Sequence, residues 1–184
     1  MTPPPLPVPK GLYWFQPHKP FTAPRYNELR DVEDHVIGTL RFLPKPAVTW
    51  GFTDRERARG EVGSSHWDLS IERKGLSGAL GLSGTALIDA GHTGTLKARA
   101  FFSNGALSLA SGRQLQWKGS MFEGRPCTFV DEGGRSLVQF DSGSFFTRVN
   151  GSVDVRAEGA DLSEWPLLVV LALYLRLLTN RVFD

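Results

Sequence analysis

Arg55, Arg57 and Arg59 stand at alternate positions in Asp54-Arg55-Glu56-Arg57-Ala58-Arg59-Gly60, the densest charge cluster of the chain. On an extended strand, alternate side chains share a face, so the three guanidinium groups would point the same way. Guanidinium groups grip phosphate oxygens through paired hydrogen bonds. The chemistry implied is recognition of an anionic headgroup or another phosphorylated ligand. Arg73 and Lys74 are further candidates for the same patch. The competing reading is a solvated loop in which Asp54 and Glu56 offset much of the charge.

Other reactive residues carry weaker signals. The four histidines, His18, His35, His66 and His92, form no His-x-His or His-x-x-x-His pair, so no local metal signature exists and surface or turn positions are expected. No spaced Asp/Asn calcium loop is present. A nucleophile elbow needs Gly-x-Ser-x-Gly between a strand and a helix; Gly81-Leu82-Ser83-Gly84 is one residue short and runs into strand-like sequence. Cys127 leads into Thr128-Phe129-Val130 and reads as a small hydrophobe in or beside a strand. The segment from Gly75 to Gly84 spaces four glycines three apart but lacks the Lys-Ser/Thr ending of a phosphate-binding loop. It reads as a loop between strands. Asn150-Gly151-Ser152 matches a glycosylation sequon but reads as a hairpin turn. No catalytic constellation, metal site or cofactor is expected.

These residues need a scaffold, and composition bounds it. The 184 residues fit one domain, and 41% hydrophobic with 22% charged residues permits a core. Twelve Phe, five Trp and three Tyr supply large buried areas. Residues 1–92 hold 11 basic and 10 acidic side chains, and residues 93–184 hold 10 and 9. No basic arm emerges, so nucleic acid is not an expected partner. One cysteine excludes an internal disulfide and suits a reduced cytosolic setting. The start, Met1-Thr2-Pro3-Pro4-Pro5, lacks the pattern of a secretory signal. Five prolines within residues 3–9 favour an extended tail.

From Tyr13 to Arg156 the pattern is strand after strand. Val36, Leu40 and Phe42 are expected on one face of Val36–Phe42. Trp67–Glu72, Leu115–Lys118 and Val153–Arg156 alternate apolar with polar residues, which gives one dry and one wet face. Short turn signals recur at Ser103-Asn104-Gly105, Ser111-Gly112, Asp131-Glu132-Gly133-Gly134, Asp141-Ser142-Gly143 and Asn150-Gly151. Such spacing argues for an antiparallel meander, closed as a barrel or stacked as a sandwich.

The C-terminus departs from this pattern. Trp165 to Leu175 is eleven residues without a formal charge, followed by Arg176-Leu177-Leu178. Ser163 is placed to cap a helix there, with Pro166 tolerated in its first turn. A transmembrane span needs about 20 apolar residues, and this run has 14 positions. An interfacial anchor needs a broad polar face, which is missing. A helix surrounded by protein remains, and a sheet wrapped around it accounts for both halves of the chain.

The chain resembles the tubby C-terminal-like superfamily, which includes phospholipid scramblases and LURP-one-related proteins, and within it the short bacterial members. The matching pieces are Tyr26-Asn27-Glu28-Leu29-Arg30-Asp31 leading into Val36–Phe42, Trp67-Asp68-Leu69-Ser70-Ile71, the run from Leu107 to Trp117, and Phe129–Gly134 followed by Leu137–Phe140. The closing stretch Leu162–Leu175 is the most telling. The resemblance spans residues 12–180 and rests on the order of these pieces. It implies a closed, twelve-stranded antiparallel barrel threaded by the C-terminal helix. Tubby proteins bind phosphoinositides, scramblases are associated with lipid movement and calcium, and plant LURP-one-related proteins with defence. The tubby lysine and arginine positions have no local counterpart here.

The expectations are therefore an all-β closed barrel around a buried C-terminal helix at 163–179, with a proline-rich tail at 1–11 and the barrel domain at 12–184. The expected function is non-enzymatic binding of anionic lipid headgroups or phosphorylated ligands through Arg55, Arg57, Arg59, Arg73 and Lys74. The expected location is the cytoplasm, peripheral at the inner membrane face. The alternative is a soluble regulatory domain that binds another protein.

Overall fold

The computed structural model describes residues 7–17, 26–43, 57–73, 83–99, 103–119, 126–142, 149–156 and 163–180. Twelve strands account for most of them: β1 (Leu12–Phe15), β2 (Tyr26–Arg30), β3 (Val36–Phe42), β4 (Arg57–Val62), β5 (Ser65–Glu72), β6 (Ser83–Ile88), β7 (Gly94–Arg99), β8 (Asn104–Leu109), β9 (Gln114–Lys118), β10 (Cys127–Val130), β11 (Ser136–Ser142) and β12 (Val149–Val155). Each pairs antiparallel with its sequence neighbours, and β1 also pairs with β12, which closes the barrel. Closure leaves no strand edge to attract another chain.

Alternation decides what faces inward. In β4, Ala58, Gly60 and Val62 are buried while Arg57, Arg59 and Glu61 are exposed. In β9, Leu115 and Trp117 point in while Gln114, Gln116 and Lys118 point out. Val36 shares the inward parity of Leu40 and Phe42 yet is 50% exposed. The pairing of β2 with β3 slips between Leu29 and Arg30, which puts Val36 at the rim, opposite Arg30. Only Leu40 and Phe42 of the three expected residues enter the core.

One turn design closes three hairpins. In each, a backbone pair brackets the loop and the fourth residue takes a positive φ: Gly112 (87°), Gly134 (79°) and Asp34 (68°). This is the type I turn with a following left-handed residue that suits a three-residue hairpin loop. Asp131 and Asp31 each accept the N–H four residues on, from Arg135 (2.9 Å) and His35 (3.0 Å). Glycine is the low-cost residue at the left-handed position, so Asp34 stands there at a conformational cost of about 1–2 kcal/mol.

The helix α1 (Trp165–Asn180) occupies the barrel interior. Every residue from Trp165 to Arg176 is buried, and Arg176, its only charge, is 3% exposed. A helix that is apolar all round has no face for water, and enclosure by a sheet satisfies it. Val170 packs on Gly60 of β4, and Tyr174 stacks on Phe42 of β3 with ring centroids 5.7 Å apart. The helix starts slightly later than the sequence suggests. Glu164, not Ser163, gives the carbonyl that accepts the first intrahelical bond, from Leu168 N–H at 3.1 Å. The Ser163 hydroxyl turns to the Glu164 carboxylate instead (3.1 Å), and Ser111 Oγ donates to the same group (3.2 Å). The helix N-terminus therefore lies at the β8–β9 turn.

Candidate anion-binding surface

Of the five residues singled out for phosphate recognition, Arg55 and Lys74 lie outside the described residues. Arg57 and Arg59 share the outer face of β4, as alternation requires. Register adds a third guanidinium, since Arg41 of β3 sits directly opposite Arg59. Arg73 does not join them. It follows Ile71 with the inward parity of β5, is half-buried, and has Nε closed off from solvent.

This arginine face is partly neutralised. Asp68 of β5 is opposite Arg59 and grips it with both oxygens, Oδ1 to Nε at 2.8 Å and Oδ2 to Nη2 at 3.2 Å. The bond to Arg59 holds the Asp68 carboxyl below its usual value. Glu61 lies two residues from Arg59 on the same face. Arg41 lies over the Tyr26 ring, 5.4 Å from its centroid. The acids that offset the arginines thus include Asp68, supplied by the neighbouring strand through register.

A second polar cluster holds the seam where β1 meets β2. Arg30 donates to Glu28 (Nε, 3.0 Å) and to Asp34 (Nη1, 2.8 Å), and its guanidinium rests over the Phe15 ring at 4.3 Å. The Tyr13 hydroxyl also donates to Asp34, which pushes the phenol's pKa up and the carboxyl's down. Both outward rings of β1 are thereby engaged by the β2–β3 hairpin. Beside Asp34, donor atoms of Asp31, Glu33 and His35 lie within 4.8 Å of one another. Asp31 Oδ1 accepts the N–H groups of Glu33 (2.9 Å) and His35 (3.0 Å), so the group builds the turn.

At the helix N-terminal end, a cleft of about 660 Å³ opens between the β8–β9 and β10–β11 turns. Arg113 and Arg135 line it together with Asp131 and Glu132, so its charges are mixed. Arg135 is bound to Asp131 at 2.7 Å.

The opposite charge pattern appears on β6 to β10. These five consecutive strands hold three cations, Lys97, Arg99 and Lys118, and no carboxylate. The other seven hold four arginines and six carboxylates. Lys97 and Arg99 point outward from β7 and Lys118 outward from β9, all exposed. Arg99 is directly opposite Asn104, and Asn104 directly opposite Lys118, so the three form one row across β7, β8 and β9. The row lies at the ends of β8 and β9 remote from their shared turn, hence away from the helix N-terminus.

Sequence reasoning passed over these residues. Lys97 and Lys118 are 21 positions apart and only hairpin register unites them. The available signal was the absence of Asp and Glu from every strand between Ser83 and Val130.

No protein-family model matches the chain, and no curated protein or solved structure matches it.

Proposed function

We propose that the protein is a non-enzymatic binding module for anionic, phosphate-bearing ligands, with lipid headgroups as the first candidates. Its resemblance to tubby-like barrels is part of the same proposal. The observation that carries the reading is the outward face of β6–β10, with three cations and no carboxylate among its strands. An open, exposed basic face suits a surface better than it suits a small enclosed ligand. Near an anionic membrane each Lys or Arg contributes roughly 1 kcal/mol. Three of them raise partitioning by about two orders of magnitude. Among the described residues no helix is long and apolar enough to cross a membrane. Attachment in this reading is peripheral and electrostatic.

Co-sedimentation with vesicles tests it. The protein should pellet with anionic vesicles at low salt, release partly at physiological salt, and ignore neutral vesicles. Equal recovery with neutral and anionic vesicles, or none with either, would overturn the reading.

A further inference from the structure

We infer that Arg99, Asn104 and Lys118 form a site for a phosphomonoester, the dianionic phosphate carried by one ester bond. The inference deepens the anionic-ligand reading above and rests on it.

The three side chains stand in one row on adjacent strands, all exposed on the same face. Neighbouring strands lie about 4.8 Å apart, so the α-carbons of Arg99 and Lys118 are separated by about 10 Å with Asn104 midway. The two long side chains can lean toward each other over the short amide. A phosphate group resting on Asn104 is then reached by a guanidinium fork from one side and an ammonium from the other. Arg supplies a bidentate pair, Lys a point charge, and the Asn amide a neutral N–H. A phosphomonoester carries close to two negative charges near neutral pH and three terminal oxygens. It matches two cations and three donor groups. A diester, with one charge and two free oxygens, leaves part of the set unused.

The surroundings keep these donors available. Arg30, Arg59, Arg135 and Arg156 each have a carboxylate oxygen at 2.5–3.0 Å, whereas Arg41 and Arg57 have no ion pair among the described residues. Arg99 makes no ion pair among the described residues, and no strand from β6 to β10 offers it a carboxylate. Asn104 makes one long bond, from Nδ2 to Ser103 Oγ at 3.4 Å, and its amide has a second N–H. Beside the row, Lys97 faces Ala106, whose small side chain leaves space next to the phosphate position. Lys97 adds charge there without belonging to the row.

The test compares phosphatidic acid, a phosphomonoester, with phosphatidylglycerol, a phosphodiester, in vesicles of matched surface charge. The full chain should bind phosphatidic acid about tenfold more tightly. Arg99→Gln, Lys118→Gln and Asn104→Asp should each remove that preference. Lys97→Gln should weaken both lipids alike and leave the ratio in place. All four positions are exposed, and an unchanged thermal melt shows that each variant folds. Competition with glycerol 3-phosphate then separates two sources of the group. Displacement identifies the phosphate itself as sufficient, and a preference that survives competition identifies the lipid within its surface; both results support the site. Equal binding of the two lipids, or a preference that survives Arg99→Gln and Lys118→Gln, overturns the phosphomonoester site while leaving the anionic-surface reading standing. Failure to bind either lipid overturns both.

Discussion

Val170 of the central helix occupies the space that a side chain at Gly60 would need. A β-carbon on Gly60 would stand 2.2 Å from Val170 Cγ1 and 3.3 Å from its Cβ. The backbone at Gly60 is ordinary strand, so this glycine permits a close approach of helix and wall. At this one position no strand side chain stands between β4 and α1.

Gly60→Ala should therefore destabilise the fold by about 1–3 kcal/mol through overpacking. Val170→Ala alone should cost roughly 2 kcal/mol in lost burial. The double variant should be more stable than the sum of the two by about 1 kcal/mol or more, because each change makes room for the other. Denaturant melts of the four proteins measure this coupling. Additive effects would mean that the two residues do not meet.

Removing residues 163–184 should abolish cooperative folding. The helix carries large buried side chains, among them Trp165, Tyr174 and a run of Leu and Val, and the barrel would otherwise enclose a void. Circular dichroism and thermal melting of the truncated chain check this. A soluble truncation with a sharp melt would show that the barrel stands without its core.

Acid should weaken the fold through four aspartates. The Asp31 carboxyl is held low chiefly by the His35 N–H, Asp34 by the Tyr13 hydroxyl, Asp68 by Arg59, and Asp131 by the Arg135 N–H. A carboxyl with a depressed folded value contributes stability that is complete above its unfolded value of 3.8 and is lost as pH falls through the folded value. The melting temperature should hold steady above about pH 5 and decline below about pH 4. Replacing all four with Asn should flatten that decline. An acid limb identical to that of the parent protein would show that these bonds do not govern it.

The helix and the strands were legible in sequence for reasons visible at particular residues. Eleven uncharged residues from Trp165 to Leu175 left no wet face, and all eleven are buried. Alternation in Leu115–Lys118 sorted Leu115 and Trp117 inward without error. Val36 failed because a slip in pairing depends on the partner strand, which no local pattern records. The partner of Arg59 was illegible for a related reason: Asp68 is nine residues away and arrives through the β4–β5 hairpin. The row of Arg99, Asn104 and Lys118 likewise exists only once three strands are laid side by side.

In the proposed function, binding resides on the outward face of β6–β10, whose strands carry no carboxylate, and not on the arginine face of β3 and β4. Vesicle co-sedimentation of two triple variants, Lys97→Gln/Arg99→Gln/Lys118→Gln and Arg41→Gln/Arg57→Gln/Arg59→Gln, distinguishes the two faces. Both remove three outward cations, so simple loss of net charge is matched. The first variant should lose about two orders of magnitude in partitioning onto anionic vesicles, while the second should stay within a few-fold of the parent. Equal losses in the two, or a greater loss in the second, would contradict that placement.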